Sequence, residues 1–506
     1  MKHRWGLILL LNSALLAGGC GLEPTCTPVL DGDAAEDDLL SSPTLLVVAP
    51  DGLAPAWEPF VDWKRALGVP TVLETLAEAV DGQQGADDAA RLRARLAEAA
   101  SGEGTVAVLL AGDVPDIPSR QVSTYFALDV EGGNETRFFA SDLYFADLGS
   151  DWDADGDGAW AEEEDAPDLQ PDVAVGRVPA GSADEVEDWI AKTLAYEQAS
   201  DPSWLDQAML MGELVRQYGS TKFYSSGALE TLVLPLFPDD AEVTRLYEDW
   251  ERYDGALPND AATQRAQLEA GQTLTLDFGH GTTWGLGNLS VDDLWDLPAT
   301  GRPGVYTTVE CQACAFDASA PVHVACEAWV LAPGGGMAFL GNTDIGIGFP
   351  TLTEFYVDLY TALFEDDPSL SLGALVRGAQ AAAFDPAALL VEGSLDRFAA
   401  LTMVLVGDPT LVPWRAVPRE PEVAGPDPYL AQDGADAACV EATLDGRALD
   451  GATVAFHGDG AFLRIAITDA GGRACAVLPD DPGPWSVTVS GAGLVPVTLD
   501  GGGQVE

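Results

Sequence analysis

A chain of 506 residues is too long for one comfortable core, and at about 150 residues per domain it suggests roughly three units. Its 47% hydrophobic residues can fill those cores, which excludes wholesale disorder. With 82 acidic residues against 24 basic ones the net charge is −58, which repels phosphate backbones and anionic headgroups and excludes nucleic acid as a partner.

The chain opens on a basic Met1-Lys2-His3-Arg4, an apolar run from Trp5 to Ala17 too short to span a membrane, and small residues before Cys20. This pattern predicts a signal peptide over 1–19. The run Leu16-Ala17-Gly18-Gly19-Cys20 resembles a bacterial lipobox, with Ala17 where leucine is usual, and implies a lipid on Cys20. An ordinary secretory signal is the alternative. The expected location is the cell envelope, as an outer-membrane lipoprotein, or the extracellular medium, with membrane contact only through the N-terminal lipid. Residues 20–43 are small, polar and acidic and read as a tether.

From Thr44 apolar strands alternate with helical spacing. Strands are expected at 44–49, 70–73 and 105–110, with helices at 55–67 and 87–100 between them. The alternation continues with a strand at 173–175, a helix over 182–198, and strands at 207–212, 272–278, 304–309 and 337–340. A helix at 323–332 and further helices to about 403 complete it. This is an α/β pattern with parallel strands covered on both faces, expected as two subdomains, 44–200 and 201–415. Residues 416–430 read as a Pro- and acid-rich linker. Short strands separated by Gly, Asp and Pro turns then predict a small β-sandwich over 431–506.

Open α/β sheets place their sites at the carboxyl ends of parallel strands, which selects two residues. The strand ending at Phe278 runs into Gly279-His280-Gly281, and the one ending at Val309 runs into Cys311. An imidazole beside a thiol can take its proton and generate a nucleophilic thiolate. Separately, Asp151-Trp152-Asp153-Ala154-Asp155-Gly156-Asp157-Gly158-Ala159-Trp160-Ala161-Glu162 matches the calcium loop D-x-[DN]-x-[DN]-G-x5-E. Asp151, Asp153, Asp155, Asp157 and Glu162 are the candidate ligands of a structural Ca²⁺; no organic cofactor is expected. The flanks do not read as paired helices, so the loop is expected on the α/β scaffold.

Several segments taken together resemble the gingipain-type cysteine peptidases of the caspase-like clan. They are Leu109-Leu110-Ala111-Gly112-Asp113, Ser141-Asp142-Leu143-Tyr144, Pro171 to Pro179, Gly279-His280-Gly281, Cys311 with Phe316-Asp317, Cys326-Glu327-Ala328, Gly335 to Gly341, and Gly407-Asp408-Pro409. The resemblance covers about 44–415 and implies a caspase/gingipain-like fold followed by an immunoglobulin-like domain. It implies a cysteine endopeptidase acting on proteins or peptides, with Cys311 as nucleophile and His280 as general base. The backbone N–H groups of Gly281 and Cys311 would then hold the oxyanion, and Asp172 would orient His280. Asp184 or Glu185 lies where an acidic residue would favour Arg or Lys in a substrate.

One departure stands out. Where the family commonly reads Ser-Cys-Asn-Thr-Gly, this chain reads Glu310-Cys311-Gln312-Ala313-Cys314. Cys311 and Cys314 could close as a C-x-x-C pair, or Cys314 could pair with Cys326 and leave Cys311 free. Cys311, Cys314, His323 and Cys326 also approach zinc-ligand spacing. Cys439 and Cys475 share the C-terminal segment and could pair. Retention of His280 and Cys311 favours the peptidase; Glu310 and Cys314 favour an inactive surface-binding or adhesive protein on the same fold.

Overall fold

The computed structural model describes residues 44–501 except 128–133, 163, 240, 317–322, 431–435, 459–461 and 480. The signal peptide, the tether, Cys20 and Asp317 lie outside the described residues. In chain order the main sheet uses β1 (Leu45–Ala49), β2 (Thr71–Thr75), β3 (Ala107–Leu110), β4 (Ala174–Arg177), β5 (Gln207–Gly212), β6 (Glu242–Tyr247), β7 (Leu257–Pro258), β8 (Leu274–Phe278), β9 (Val305–Thr308), β10 (Ala338–Asn342) and β11 (Met403–Val406). Their spatial order is β7-β6-β5-β8-β9-β10-β11-β4-β3-β1-β2.

The apolar runs explain the architecture. Every residue of β1, Leu-Leu-Val-Val-Ala, is buried, as expected for a strand covered on both faces. Leu46 and Val48 pack into one core while Leu45, Val47 and Ala49 pack into another on the opposite face. Helix α1 (Ala54–Ala66) starts with proline in its first turn and ends with Lys64 and Arg65, favourable at the negative end of the helix dipole. Lys64 lies buried between Glu197, at 2.6 Å, and Asp408. It thereby ties α1 to the end of α2 (Ala183–Glu197) and to the Gly407-Asp408-Pro409 turn.

The sequence pattern suggests two subdomains meeting near 200; the structure joins them in one sheet. Neighbours are parallel throughout except for β10 and β11, which pair antiparallel, Phe339 opposite Val406 and Asn342 opposite Met403. β11, from the later half, thus lies against β4 of the earlier half. A helix over Leu395–Thr402 leads straight into β11, and hydrophobic periodicity carries no information about which neighbour such a strand will choose.

Beyond the sheet, β12 (Glu422–Leu430), β13 (Asp436–Leu444), β14 (Arg447–Ala448) and β17 (Arg473–Val477) form one small antiparallel sheet. β15 (Thr453–Gly458), β16 (Phe462–Ile467), β18 (Ser486–Ser490) and β19 (Val497–Asp500) form the other. Val440, Ala442, Val454, Phe456, Val487 and Val489 fill the space between them, making an immunoglobulin-like sandwich. The segment expected as a linker to 430 is in part a strand. β12 tolerates Pro426 and Pro428 because it pairs on one side only, and its register shifts between Ala424 and Asp427. Cys439 and Cys475 sit directly opposite one another on β13 and β17 and are disulfide-bonded.

Candidate active site

β5, β8 and β9 run side by side and parallel, with Asp277 level with Met211 on one side and Thr308 on the other. Their carboxyl ends therefore deliver Glu213, the Gly279-His280-Gly281 turn and the Glu310-Cys311 turn to one edge. The last two are in close contact: a Cβ on residue 281 would lie 2.5 Å from the Glu310 Cβ, so only glycine fits there.

His280 is exposed and held at two points. Its backbone N–H donates to Glu213 Oε2 at 2.9 Å, and its Nε2 lies 3.1 Å from the Leu214 carbonyl oxygen. A carbonyl oxygen can only accept, so Nε2 carries the hydrogen and Nδ1 is left as the basic nitrogen. Cys311 is a free, half-buried thiol whose Sγ faces the Gly346 carbonyl at 3.9 Å. Burial pushes this thiol above its ordinary range; the Gly346 contact acts the other way, and the Asp344 charge adds to the rise. After Cys311 the backbone turns through Gln312 at φ +57°, in the left-handed region, with its N–H donating to the Asp344 carbonyl at 2.7 Å. The Asp344 carboxylate is gripped by Arg137 through two 2.7 Å hydrogen bonds. This fixes the hairpin of strands Gln121–Ala127 and Asn134–Ala140 to the Cys311 turn. The N–H groups of Gly281 and Cys311 enter no hydrogen bond among the described residues.

Asp172 is not part of this constellation. Its Oδ2 accepts from the N–H groups of Leu148 and Gly149, at 2.8 and 2.9 Å. It precedes β4, and β9, β10 and β11 separate that strand from His280's strand β8. The carboxylate on the His280 turn is Glu213, which sequence reading misses although the signal existed: it follows the buried run of β5 by the same strand-end rule that selects His280. Asp184 and Glu185 open α2. Glu185 accepts from the Gly181 N–H at 2.9 Å and pairs with His323 at 3.3 Å.

Cys314 is disulfide-bonded to Cys326, which leaves Cys311 free. Neither the Cys311–Cys314 bridge nor the zinc set survives this pairing. His323 is moreover held protonated by Glu185 and Glu327, its pKa raised to about 10, whereas zinc needs the neutral ring.

The acidic loop is tightly turned and brings part of the motif together. Gly156 and Gly158 take φ of +76° and +85°, and side chains cap the turn: Asp151 accepts from the Asp153 N–H, Asp155 from Asp157 and Asp157 from Ala159. Carboxylate oxygens of Asp155, Asp157 and Glu162 converge, as do those of Asp153, Asp155 and Asp165. Hard carboxylate oxygens are the donor set Ca²⁺ takes. Asp165, buried and outside the motif, joins one of them, which the motif spacing does not reveal. Asp151 belongs to neither triad.

The sequence model of peptidase family C25 matches residues 38–414. No curated protein matches the chain. Two solved structures have the same fold. One is the complex of Porphyromonas gingivalis RgpB pro- and mature domains, 20% identical, covering 90% of this chain and 99% of that one, with a TM-score of 0.69. The other is the Arg-specific cysteine proteinase gingipain R, also 20% identical, covering 92% and 98%, with a TM-score of 0.68. The family model spans three-quarters of the sequence and the fold is shared with two solved cysteine-proteinase structures, and so this chain belongs to peptidase family C25, a family of cysteine peptidases.

Proposed function

We propose that this protein is an exported, lipid-anchored and calcium-stabilised cysteine endopeptidase that hydrolyses peptide bonds with a Cys311–His280 dyad. The observation that carries the reading is the contact of the two turns, Gly281 against Glu310, at the ends of adjacent parallel strands. In this mechanism His280 Nδ1 takes the Cys311 thiol proton as the sulfur attacks the substrate carbonyl carbon. The unused N–H groups of Gly281 and Cys311 receive the developing oxyanion. His280 then gives the proton to the leaving amine, and water, deprotonated by the same nitrogen, hydrolyses the thioester. Leu214, through Nε2, keeps the ring in this tautomer, and Glu213, through the His280 backbone N–H, fixes the turn that carries it. Asp153, Asp155, Asp157, Glu162 and Asp165 would hold calcium, which supplies charge compensation to their loop and no chemistry. The basic, apolar and small-residue run before Cys20 supports export and lipidation.

The alternative, an inactive surface-binding protein, rests on Glu310 and Cys314, and the pairing of Cys314 with Cys326 weakens it. Hydrolysis of a mixed peptide library by the mature protein with Ca²⁺ and a mild thiol reductant decides between them. Cleavage that disappears in Cys311→Ala and His280→Ala is expected. No cleavage by folded, calcium-loaded protein overturns the proposal.

A further inference from the structure

Beneath the two turns lies a carboxyl cluster, of which the mechanism above uses only Glu213. Asp277 and Glu310 are both fully buried, and Glu213 beside them is half-buried. Among the described residues no lysine or arginine forms an ion pair with any of the three. Each has one backbone or hydroxyl donor: Tyr306 donates its O–H to Asp277 Oδ2 at 2.8 Å, Gly287 its N–H to Glu310 Oε1 at 2.7 Å, and His280 its N–H to Glu213 Oε2 at 2.9 Å. The remaining oxygens, Asp277 Oδ1 and Glu310 Oε2, are buried with no donor of their own, yet the two carboxyl groups lie within hydrogen-bonding reach of each other. Two carboxylates in contact, out of water and without a cation, cannot both be ionised.

The cluster is also what the His280 turn rests on. A Cβ on Gly279 would lie 2.8 Å from Asp277 Oδ1 and 2.7 Å from the Glu213 carboxyl carbon; one on Gly281 would lie 2.6 Å from Glu310 Oε2. Cys311 follows Glu310 directly, and the Glu310 backbone is pinned by Thr308 Oγ1 on its N–H and Asn342 Nδ2 on its carbonyl. We infer that Asp277 and Glu310 share one proton, and that this shared proton latches the His280 turn to the Cys311 turn, making Glu310 a positioning residue for the dyad. The inference rests on the dyad reading above. Burial, then the nearby acids, raises the pKa of both: Glu213 for Asp277, and Asp277 for Glu310. The titratable groups facing the pair are Glu213 from the end of β5, with Glu248 behind it, Tyr306 from β9, and His280 above. Loss of the shared proton leaves two like charges under the turns and pushes them apart.

The test compares wild type with Glu310→Gln, whose amide donates to Asp277 at every pH, and Glu310→Ala, which removes the link. With a peptide substrate, the wild-type kcat/KM is expected to fall on the alkaline side. Glu310→Gln is expected to stay within about threefold of wild type at neutral pH and to lose that alkaline fall. Glu310→Ala is expected to lose roughly 10- to 100-fold in kcat with KM changed little. An alkaline limb unchanged in Glu310→Gln overturns the latch. Thermal unfolding supplies a readout independent of activity. A carboxyl whose folded pKa is raised contributes stability at low pH that is lost as pH rises toward that pKa. The Tm of Glu310→Gln relative to wild type should therefore climb between pH 5 and pH 9; a pH-independent difference shows that no proton is shared. Retained hydrolysis by Cys311→Ala, by contrast, refutes the dyad and leaves the Tm comparison standing.

Discussion

In the proposed dyad, a thiol raised by burial changes which protonation form rests in the enzyme. Some cysteine nucleophiles wait as a thiolate beside an imidazolium. Here Cys311 is partly withdrawn from water, and the Asp344 charge adds to the rise that burial causes; both effects favour the neutral thiol. In the proposed mechanism His280 then takes the proton during attack. The alkylation rate of Cys311 by iodoacetamide should accordingly still be rising at pH 9 and not level off near pH 6. A plateau on the acid side would show a preformed ion pair. At this scale the sequence is readable where chemistry is rare and opaque where it is common. With four histidines and seven cysteines, a glycine-flanked His280 and a strand-end Cys311 stand out. Among 82 acids nothing local separates Asp172, which caps its own loop, from Glu213, which reaches the His280 turn only because β5 is the neighbour of β8. Glu310 is visible as a departure from the family pattern, but its burial against Gly281 depends on packing across two strands.

The acidic loop is the element whose behaviour is most exposed to its surroundings. Its ends are rigid: Trp152 is buried, Ala161 donates its N–H to the Trp152 carbonyl, and Arg397 grips the Ala161 and Glu162 carbonyls. On and beside that loop two triads of carboxylates converge, Asp153-Asp155-Asp165 and Asp155-Asp157-Glu162, and among the described residues no basic side chain pairs with them. Burial first, and the charges of Asp157 and Glu164 next, raise the Glu162 carboxyl above its usual range. A cation of matching hardness should therefore stabilise the folded chain by mass action, about 2.7 kcal/mol at a concentration one hundred times its dissociation constant. Chelation with EGTA should lower Tm by several degrees, with calcium restoring it. Asp155, common to both triads, is the position whose change to Asn should abolish the response. A Tm indifferent to calcium would mean a solvated acidic loop. Spacing alone makes this motif legible, because its ligands are contiguous; Asp165 escapes because it joins from outside the twelve residues.

Charge is a property of the whole molecule, and its distribution is more lopsided than the count of 24 basic residues suggests. Lys64, Lys192, Arg177 and Arg397 are buried. Lys64 and Arg177 neutralise interior carboxylates, while Lys192 and Arg397 bind backbone carbonyls. They do nothing for the outer surface, so the field there is set by acids facing one another across water. Such repulsion opposes the compact state and is screened over about 10 Å at 0.1 M salt. In a protein held together by surface ion pairs, added salt weakens attraction and lowers Tm; here it should weaken repulsion and raise it. Calcium-saturated protein in NaCl raised from about 10 mM to about 300 mM should gain a few degrees in Tm by calorimetry, most of it below the concentration at which the Debye length drops under 10 Å. Calcium saturation keeps the acidic loop out of the comparison, and a chloride salt avoids the stabilisation that sulfate gives to any fold. A Tm that is flat or falling over this range would mean that the surface acids are already neutralised by bound cations, and that the net charge of −58 overstates the field the folded chain feels.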